Sequence, residues 1–594
     1  MRIDHRVASL PMTDEQRFFA AAWHNMVHKH SLDSHRVRAL NPQNGLRELL
    51  RMTHPHASND DLSMVAAEVM NILSSDPILC LPEFFEPTSE LLEILSPKKG
   101  QDKQFEKSKH LLQAFATELL QKITSGYVTA SLSWLREALE GKIAPPHPPT
   151  REYLQEVHIV TGNLLSILVD NGASVESLFA LYKQVITGSR PGGTYIFDKK
   201  FSLLEKLLNK PPVTFIVVFA VDGVGDSSTF PSTIGPVRFV TSPTGLAAPS
   251  GPVMRYCLPN PKRLFAEIDV STRDLRSAGS QAYASINDVL DLVRFEYESN
   301  RLQLADEFMI ASGPPPYSYR IYSIPKIVPN PSRVIGATEL QHFAKSVGEL
   351  IEGTDIPSDG RDRIQSAFRL YRVGADTNIF ENKLTNWWTA TEYLVKGSGG
   401  SGGIGKAVED TLVPVLCRGY VKKLLYSFRN ALVDAKATLV DPLTAAPVLL
   451  KDVEGDRLFS LFRNPAMKGQ LLTAANIDPF FRMKFESFLE DISDPKRIEA
   501  MLSSHEQRLR WHVQRLYRAR CDIVHSAERV VSAALLCANL EFYLKSTLTA
   551  LLTSLTVSSH INGPKEFFDR QGYAYRKMTE ALQQGDDRRL IATL

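Results

Sequence analysis

The spacing of apolar residues changes twice along this 594-residue chain, and these changes constrain its fold more than any other feature. Apolar residues recur at helical spacing over residues 14–30, 107–139 and 153–169. Short β-branched and aromatic runs then take over, at 213–221, 237–241, 265–270 and 317–327, with one helical stretch at 277–295. Helical spacing returns after about residue 335. We therefore expect helices at both ends of the chain and a mixed module between them.

These changes divide the chain into four predicted parts. They are a helical region over residues 1–185, a small α+β module over 190–330, an all-α bundle over 335–555 and a weakly packed tail over 556–594. Helices of the bundle are predicted at 340–351, 363–371, 379–395, 406–434, 480–492, 498–517 and 528–552. With 43% hydrophobic residues the chain can fill several cores, so we expect a multidomain protein.

Overall charge does not predict a nucleic-acid partner. The 68 lysines and arginines nearly balance the 66 aspartates and glutamates, so any basic surface must be local. The five cysteines are widely spaced and form no C-x-x-C pair, which disfavours a disulfide framework or a zinc ribbon. The longest apolar run, 213–221, is too short for a membrane span. We expect a cytoplasmic protein without a membrane partner.

Two glycine-rich segments resemble nucleotide-binding loops only in part. The segment at 400–407 has the glycine and lysine spacing of a phosphate-binding loop, but a predicted helix precedes it and Ala407 follows Lys406 where Ser or Thr would bind magnesium. The segment at 222–226 follows a predicted strand but has Ser228 at the third glycine position and no helix after it. We predict a flexible linker at 397–405, a turn at 222–226 and no cofactor.

A histidine group near the start of the chain is the candidate metal site. His24 and His28 share a helix face, and His30 follows. Carboxylates and cysteines are missing at ligand spacing around them, so we predict surface histidines and no metal.

The strongest candidate site lies in the basic segment 496–525. Arginines there surround an apolar face formed by Leu509, Val513 and Leu516, so a helix can dock on a core and still present cations to phosphates. The basic residues predicted to hold RNA are Arg510, Arg515 and Arg518. An ordinary solvated helix face is the alternative that charge alone would favour.

The segment ends with Arg520 and His525. Five positions on one straight helix turn two side chains ~140° apart and separate them by ~7.5 Å. They can act together if the helix ends between them, or if two copies meet across a two-fold axis. Histidine titrates near neutral pH and can move the proton of a ribose 2′-hydroxyl, while arginine stabilises charge on phosphate oxygens. This pair suits RNA cleavage without a metal.

The segment 515–526, with its R-x-x-x-x-H pattern, resembles the signature of the HEPN superfamily (higher eukaryotes and prokaryotes nucleotide-binding) in its Apea-like branch. The segments 386–394 and 533–544 resemble the first core helix of that branch and the helix that follows its motif. The resemblance covers residues 340–555. It implies an HEPN-like helical bundle and a metal-independent, dimeric endoribonuclease, of the kind found in antiphage abortive-infection and toxin systems.

By this resemblance Arg520 and His525 are the catalytic residues. Cys521 stands where asparagine or another polar residue is common, which leaves the supporting contact of the site open. We predict supporting roles for Asp522 and Glu392. The run at 429–434 has Asp434 instead of histidine and is predicted to be an ordinary helix face. We expect an RNA substrate, a homodimer through the bundle, and N-terminal regions that sense a phage or cellular trigger. The alternative is a non-catalytic HEPN-like module that binds RNA or a nucleotide or mediates dimerisation.

Overall fold

The structure is a computed structural model of the chain. It describes residues 2–28, 40–54, 58–96, 108–140, 150–188, 194–224, 230–246, 251–258, 260, 262–296, 302–324, 340–341, 343–345, 347–348, 357–377, 379–398, 403–526, 530, 533–557 and 561–594. Helices lie at both ends of the chain and a small antiparallel sheet lies in the middle, as the sequence predicts. In the described residues we find no helix with the length and apolarity needed to cross a membrane.

Helices form the first region, as predicted. They are α1 (His5–Ala8), α2 (Asp14–Val27), α3 (Pro42–Met52), α4 (Asn59–Ser74), α5 (Pro82–Leu95), α6 (Lys109–Leu139), α7 (Arg151–Asp170), α8 (Val175–Leu181) and α9 (Phe197–Leu208). Thr13 and Gln16 form a capping box that fixes the start of α2. Helix α9 lies beyond the predicted boundary at 185 but buries Phe197 and Phe201 in the same core, so this core extends to about residue 208.

The middle module is a six-stranded antiparallel sheet. Its strands are β1 (Val213–Asp222), β2 (Thr233–Ile234), β3 (Val237–Val240), β4 (Arg263–Thr272), β5 (Gln303–Ser312) and β6 (Arg320–Ser323), in the order β2-β3-β4-β1-β5-β6. Helix α10 (Gly251–Tyr256) and α11 (Leu275–Glu296) cover opposite faces. Strand β5 was not predicted, because only its second half, from Phe308, is buried.

The C-terminal bundle contains most of the predicted helices and several more. They are α12 (Ser358–Asp376), α13 (Phe380–Val395), α14 (Ile404–Arg418), α15 (Tyr420–Asp434), α16 (Gly455–Arg463), α17 (Pro465–Ala475), α18 (Pro479–Asp491), α19 (Pro495–Ser526), α20 (Ala533–Val557), α21 (Pro564–Gln583) and α22 (Arg588–Ile591). Strands β7 (Leu439–Val440) and β8 (Pro447–Val448) form a short hairpin. The stretch predicted as one helix at 406–434 is two helices, which meet at Gly419. The helix predicted at 340–351 lies largely outside the described residues.

The tail is not weakly packed, contrary to the prediction for residues 556–594. Helix α21 buries Phe567, Phe568 and Met578 in the core of the bundle, and Leu590 of α22 is buried in the same core. The charged sequence at 586–589 suggested a solvated tail, but it occupies only the turn between the two helices and the start of α22.

The bundle and the first region are joined by apolar packing. Phe480 and Met483 of α18 belong to the core of the first region, and the Phe480 ring meets Phe18 edge to face at 5.5 Å. The two helical parts therefore share a buried contact in addition to the polar ones described below.

Candidate active site

The candidate residues lie on α19, which runs without a break from Pro495 to Ser526. Its apolar face buries Leu509, Val513 and Leu516, as the sequence predicts. The helix extends nine residues beyond its predicted end at 517. Arg520 and His525 therefore belong to one helix, and the arrangement in which the helix ends between them is absent.

Arg520 lies beside Glu392 of α13. Its guanidinium Nη2 is 3.9 Å from the Glu392 Oε2 carboxylate oxygen. The indole Nε1 of Trp388 donates a hydrogen bond of 2.6 Å to the other oxygen of Glu392 and so orients the carboxylate. The Arg520 Nε is buried and makes no hydrogen bond to the described residues. The structure therefore brings together two predicted site residues, Arg520 and Glu392.

His525 is exposed near the end of α19. On a straight helix its position is ~7.5 Å farther along the helix axis than that of Arg520, and its side chain is turned ~140° around the axis from the Arg520 side chain. One copy of the chain therefore does not place the two side chains around a single phosphate group.

Asp522, the second predicted supporting residue, is on the side of α19 that faces the first region. Its carboxylate accepts a hydrogen bond of 2.7 Å from Nη2 of Arg51 in α3. The two predicted supporting residues therefore have different partners: Asp522 pairs with Arg51, and Glu392 pairs with Arg520.

Arg515 and Arg518 form ion pairs with carboxylates of the first region. Arg515 Nε is 2.8 Å from Glu48 and its Nη2 binds Glu68. Arg518 binds Glu48 and lies 3.1 Å from Asp61. We call these five residues the ion-pair cluster. The side chains of Arg515 and Glu48 are only 13% and 14% exposed, so the pair is largely shielded from water.

The two glutamates bound by Arg515 differ in their electrostatics. Burial opposes ionisation of Glu48, but its two arginine partners prevail and lower its pKa to about 2. Burial also acts on Glu68, and together with the neighbouring Glu48 carboxylate it raises the pKa of Glu68 despite Arg515. Glu48 is therefore the main counter-charge of the ion-pair cluster.

Arg510 is paired inside the bundle. Its Nε donates a hydrogen bond of 3.0 Å to Glu506, and its Nη1 lies 3.1 Å from Asp410 and also binds Glu409. All three arginines predicted to hold RNA thus have carboxylate partners in this structure.

A cleft of about 1650 Å³ lies between the first region and the bundle. Helices α3, α4 and α7 line one side, and α15, α19 and α20 line the other. The ion-pair cluster lies on its wall, as do two basic residues of the bundle that the sequence analysis did not select, Lys423 and Arg508. We call it the inter-region cleft. The carboxylates of the ion-pair cluster come from a part of the chain with no recognisable motif, so spacing along the sequence did not reveal the cleft.

The glycine-rich segment is described only in part, because residues 399–402 lie outside the described residues. A Cβ atom on Gly405 would lie 2.5 Å from the Tyr517 ring, so a larger residue there would collide with α19. Lys406 pairs with Glu409 at 2.7 Å on its own helix. Gly405 therefore allows close packing against α19, and Lys406 forms an ion pair on the surface of its own helix.

The prediction that His24 is a surface residue is wrong. His24 is 6% exposed, and its ring packs against Tyr182 at 5.1 Å between centroids. Burial, with a smaller effect of His28, lowers the pKa of His24 to about 4. Three or more metal-binding side chains do not converge anywhere in the part of the chain that the structure describes.

Comparison with known proteins gives no match, so the functional assignment rests on the contacts described above. No family model, curated protein sequence or solved structure matches the chain at a significant level.

Proposed function

We propose that the C-terminal bundle is a metal-independent endoribonuclease of the HEPN type. In this proposal Arg520 and His525 act on RNA at a site that a second copy of the chain completes. The observation that carries the proposal is an exposed imidazole, His525, five positions after an arginine oriented by Glu392. In this proposal each copy supplies an exposed His525 and an Arg520 positioned by Glu392 to the composite site.

The chemistry requires only these side chains and the RNA. His525 accepts the proton of a ribose 2′-hydroxyl as the 2′-oxygen attacks the neighbouring phosphorus. The bond from phosphorus to the 5′-oxygen breaks, and that oxygen takes up a proton. Arg520 donates hydrogen bonds to the phosphate oxygens, which gain charge in the transition state. The products are a 2′,3′-cyclic phosphate and a 5′-hydroxyl.

A two-fold axis is the simplest way to bring the two groups together. The side chains diverge on one helix, but two antiparallel copies of the last turns of α19 would place His525 of each copy toward Arg520 of the other.

The ion-pair cluster supports a restrained resting state. Arg515 and Arg518 can bind RNA phosphates only after Glu48, Asp61 and Glu68 have moved away or been displaced. The first region thus acts as a brake on the bundle, and we assign it the role of responding to a phage or cellular trigger in antiphage defence.

A second candidate function is a non-catalytic HEPN-like module that binds RNA or a nucleotide or dimerises. The observation that favours it is the Arg520–Glu392 pair, because an arginine whose charge is already compensated can serve packing alone. Replacement of Arg520 by lysine separates the two functions. Lysine retains the charge that Glu392 needs but lacks the planar fork that binds phosphate.

The test uses total RNA in EDTA with the full chain and with a released form, Glu48→Gln/Asp61→Asn/Glu68→Gln. We expect the released form to cut RNA and leave 2′,3′-cyclic phosphate ends. In that form Arg520→Ala, Arg520→Lys and His525→Ala should each lower the cleavage rate about 10²–10⁴-fold. Gln507→Ala, an exposed site on the same helix, should not.

Three results would reject the nuclease. They are a strict requirement for magnesium, full activity of His525→Ala, or no cleavage by either form of the chain. Retained activity of Arg520→Lys alone would reduce Arg520 to a structural partner of Glu392.

A further inference from the structure

Two cations on the wall of the inter-region cleft lack the counter-charges that their neighbours have. The described residues place no carboxylate within ion-pair distance of Lys423 or Arg508, although both side chains are exposed to the cleft. The Lys423 ammonium instead lies 4.1 Å from the centre of the Phe542 ring. A ring face compensates a cation only weakly compared with a carboxylate.

The two cations belong to one end of the cleft. Tyr420 and His505 stack at 3.7 Å between ring centres and join α15 to α19 there. Lys423 lies three positions after Tyr420 and Arg508 three positions after His505, so each is one helical turn from the same stacked pair. The contacts therefore place Lys423 and Arg508 at neighbouring points of the cleft wall.

Other groups at this end can complete a binding site. His512, one further turn along α19, lies 3.2 Å from the Tyr543 hydroxyl and 3.4 Å from the Asn539 side chain. Phe542, Leu424 and Leu535 add apolar surface to the same wall. Protein atoms surround most of the Lys423 side chain, although the side chain still lines the cleft. This burial lowers the pKa of Lys423 to about 8. An anion bound beside Lys423 would supply the missing charge.

We propose that the Lys423–Arg508 end of the inter-region cleft binds a phosphorylated small molecule, with its phosphate groups held by both cations. The apolar wall would contact the rest of the ligand. This site goes beyond the proposed nuclease and does not depend on it, because neither Arg520 nor His525 lines the cleft.

The charge distribution favours a small ligand over an RNA strand. Five carboxylates line the rest of the cleft: Glu48, Asp61, Glu68, Asp170 and Asp522. A long polyanion that followed the cleft would meet them, whereas a compact phosphorylated ligand would occupy only the basic end. The volume of about 1650 Å³ exceeds that of ordinary small-molecule sites, so room is not limiting.

The test is calorimetric titration of the full chain, without divalent cations, with ATP, inorganic tripolyphosphate, adenosine and a single-stranded 12-nucleotide RNA. We expect ATP and tripolyphosphate to bind and to raise the melting temperature, and adenosine not to bind. Tighter binding of ATP than of tripolyphosphate would identify a nucleotide site, and equal binding would identify a polyphosphate site.

Variants locate the binding. Lys423→Met and Arg508→Gln should each weaken binding of the phosphorylated probes at least tenfold. Lys422→Met, the exposed neighbour that does not line the cleft, should bind as the parent does. Lys423→Met removes an uncompensated charge and is expected to fold, and its melting temperature without ligand checks this.

The proposal fails if neither ATP nor tripolyphosphate binds at millimolar concentration. It also fails if Lys422→Met loses as much affinity as Lys423→Met, or if only the RNA binds through Lys423 and Arg508. Cleavage activity does not enter these measurements, so they stand whether or not the bundle cuts RNA.

Discussion

The inter-region cleft has two basic areas with opposite properties. In the ion-pair cluster, Arg515 and Arg518 are surrounded by three carboxylates of the first region. At the other end, Lys423 and Arg508 face the same cleft without any acidic partner among the described residues. The comparison shows that the charge of a basic residue on the cleft wall is compensated or not according to which distant carboxylates the fold brings to it.

Spacing along the sequence draws attention to the paired cations of the cleft and not to the unpaired ones. Arg515 and Arg518 stand out in an arginine-rich segment, but their partners are more than 400 positions away in α3 and α4. Lys423 lies in a helix without a recognisable motif. Whether it has an acidic partner depends on which helices surround the cleft. A basic residue with a distant carboxylate partner and one without such a partner therefore look alike in the sequence.

The largest effect is expected for Glu48→Gln. Both arginines of the ion-pair cluster would lose their main counter-charge, while each would keep one other carboxylate. We expect a loss of about 3 kcal/mol in the free energy of unfolding, the lower end of what breaking a buried ion pair costs. Urea unfolding followed by circular dichroism measures it, with Glu93→Gln, an exposed glutamate of α5, as the matched control.

Acid provides an independent check on Glu48. Its pKa in the folded protein, about 2, lies below the ordinary value of 4.5. Its contribution to stability is therefore complete above pH 4.5 and is lost as the pH falls through 2. The difference between the parent and Glu48→Gln should shrink over that interval. A difference that does not change with pH would show that Glu48 acts by packing and not by charge.

Glu68→Gln should have a much smaller effect, although Glu68 binds the same arginine. Burial and the Glu48 carboxylate raise the pKa of Glu68, so the folded state tolerates its charge poorly. A neutral glutamine removes that penalty together with the attraction to Arg515. We expect the free energy of unfolding to stay within about 1 kcal/mol of the parent. An effect as large as that of Glu48→Gln would mean that the two glutamates share the counter-charge equally.

Features set by local periodicity could be predicted, and features set by distant contacts could not. The apolar faces of α2, α6, α7 and α19 follow the spacing of their own residues, and β1 follows its β-branched run. The burial of α21 could not be predicted, because its charged surroundings suggested a solvated tail while Phe567 and Met578 fill a core built by other helices.

The candidate site shows the same division. The resemblance to a family motif selected Arg520 and Glu392, and the fold places them 3.9 Å apart on different helices. Asp522 was selected with them but pairs with Arg51 instead, because the carboxylate lies on the opposite side of α19. The position of a residue next to a motif does not determine the side of the helix on which it lies.

The smallest effect is expected for the Arg51–Asp522 pair, the most exposed of the contacts between α3 and α19. The Arg51 side chain is 53% exposed, so water and salt screen the attraction even though the two groups are 2.7 Å apart. A double-mutant cycle with Arg51→Ala and Asp522→Asn isolates this pair from the other contacts of Arg51, and we expect a coupling of about 0.2–1 kcal/mol that falls in 0.5 M NaCl. A coupling of 2 kcal/mol or more that resists salt would place this pair with the shielded ion-pair cluster. The proposed restraint on α19 would then extend along the helix to within three residues of His525.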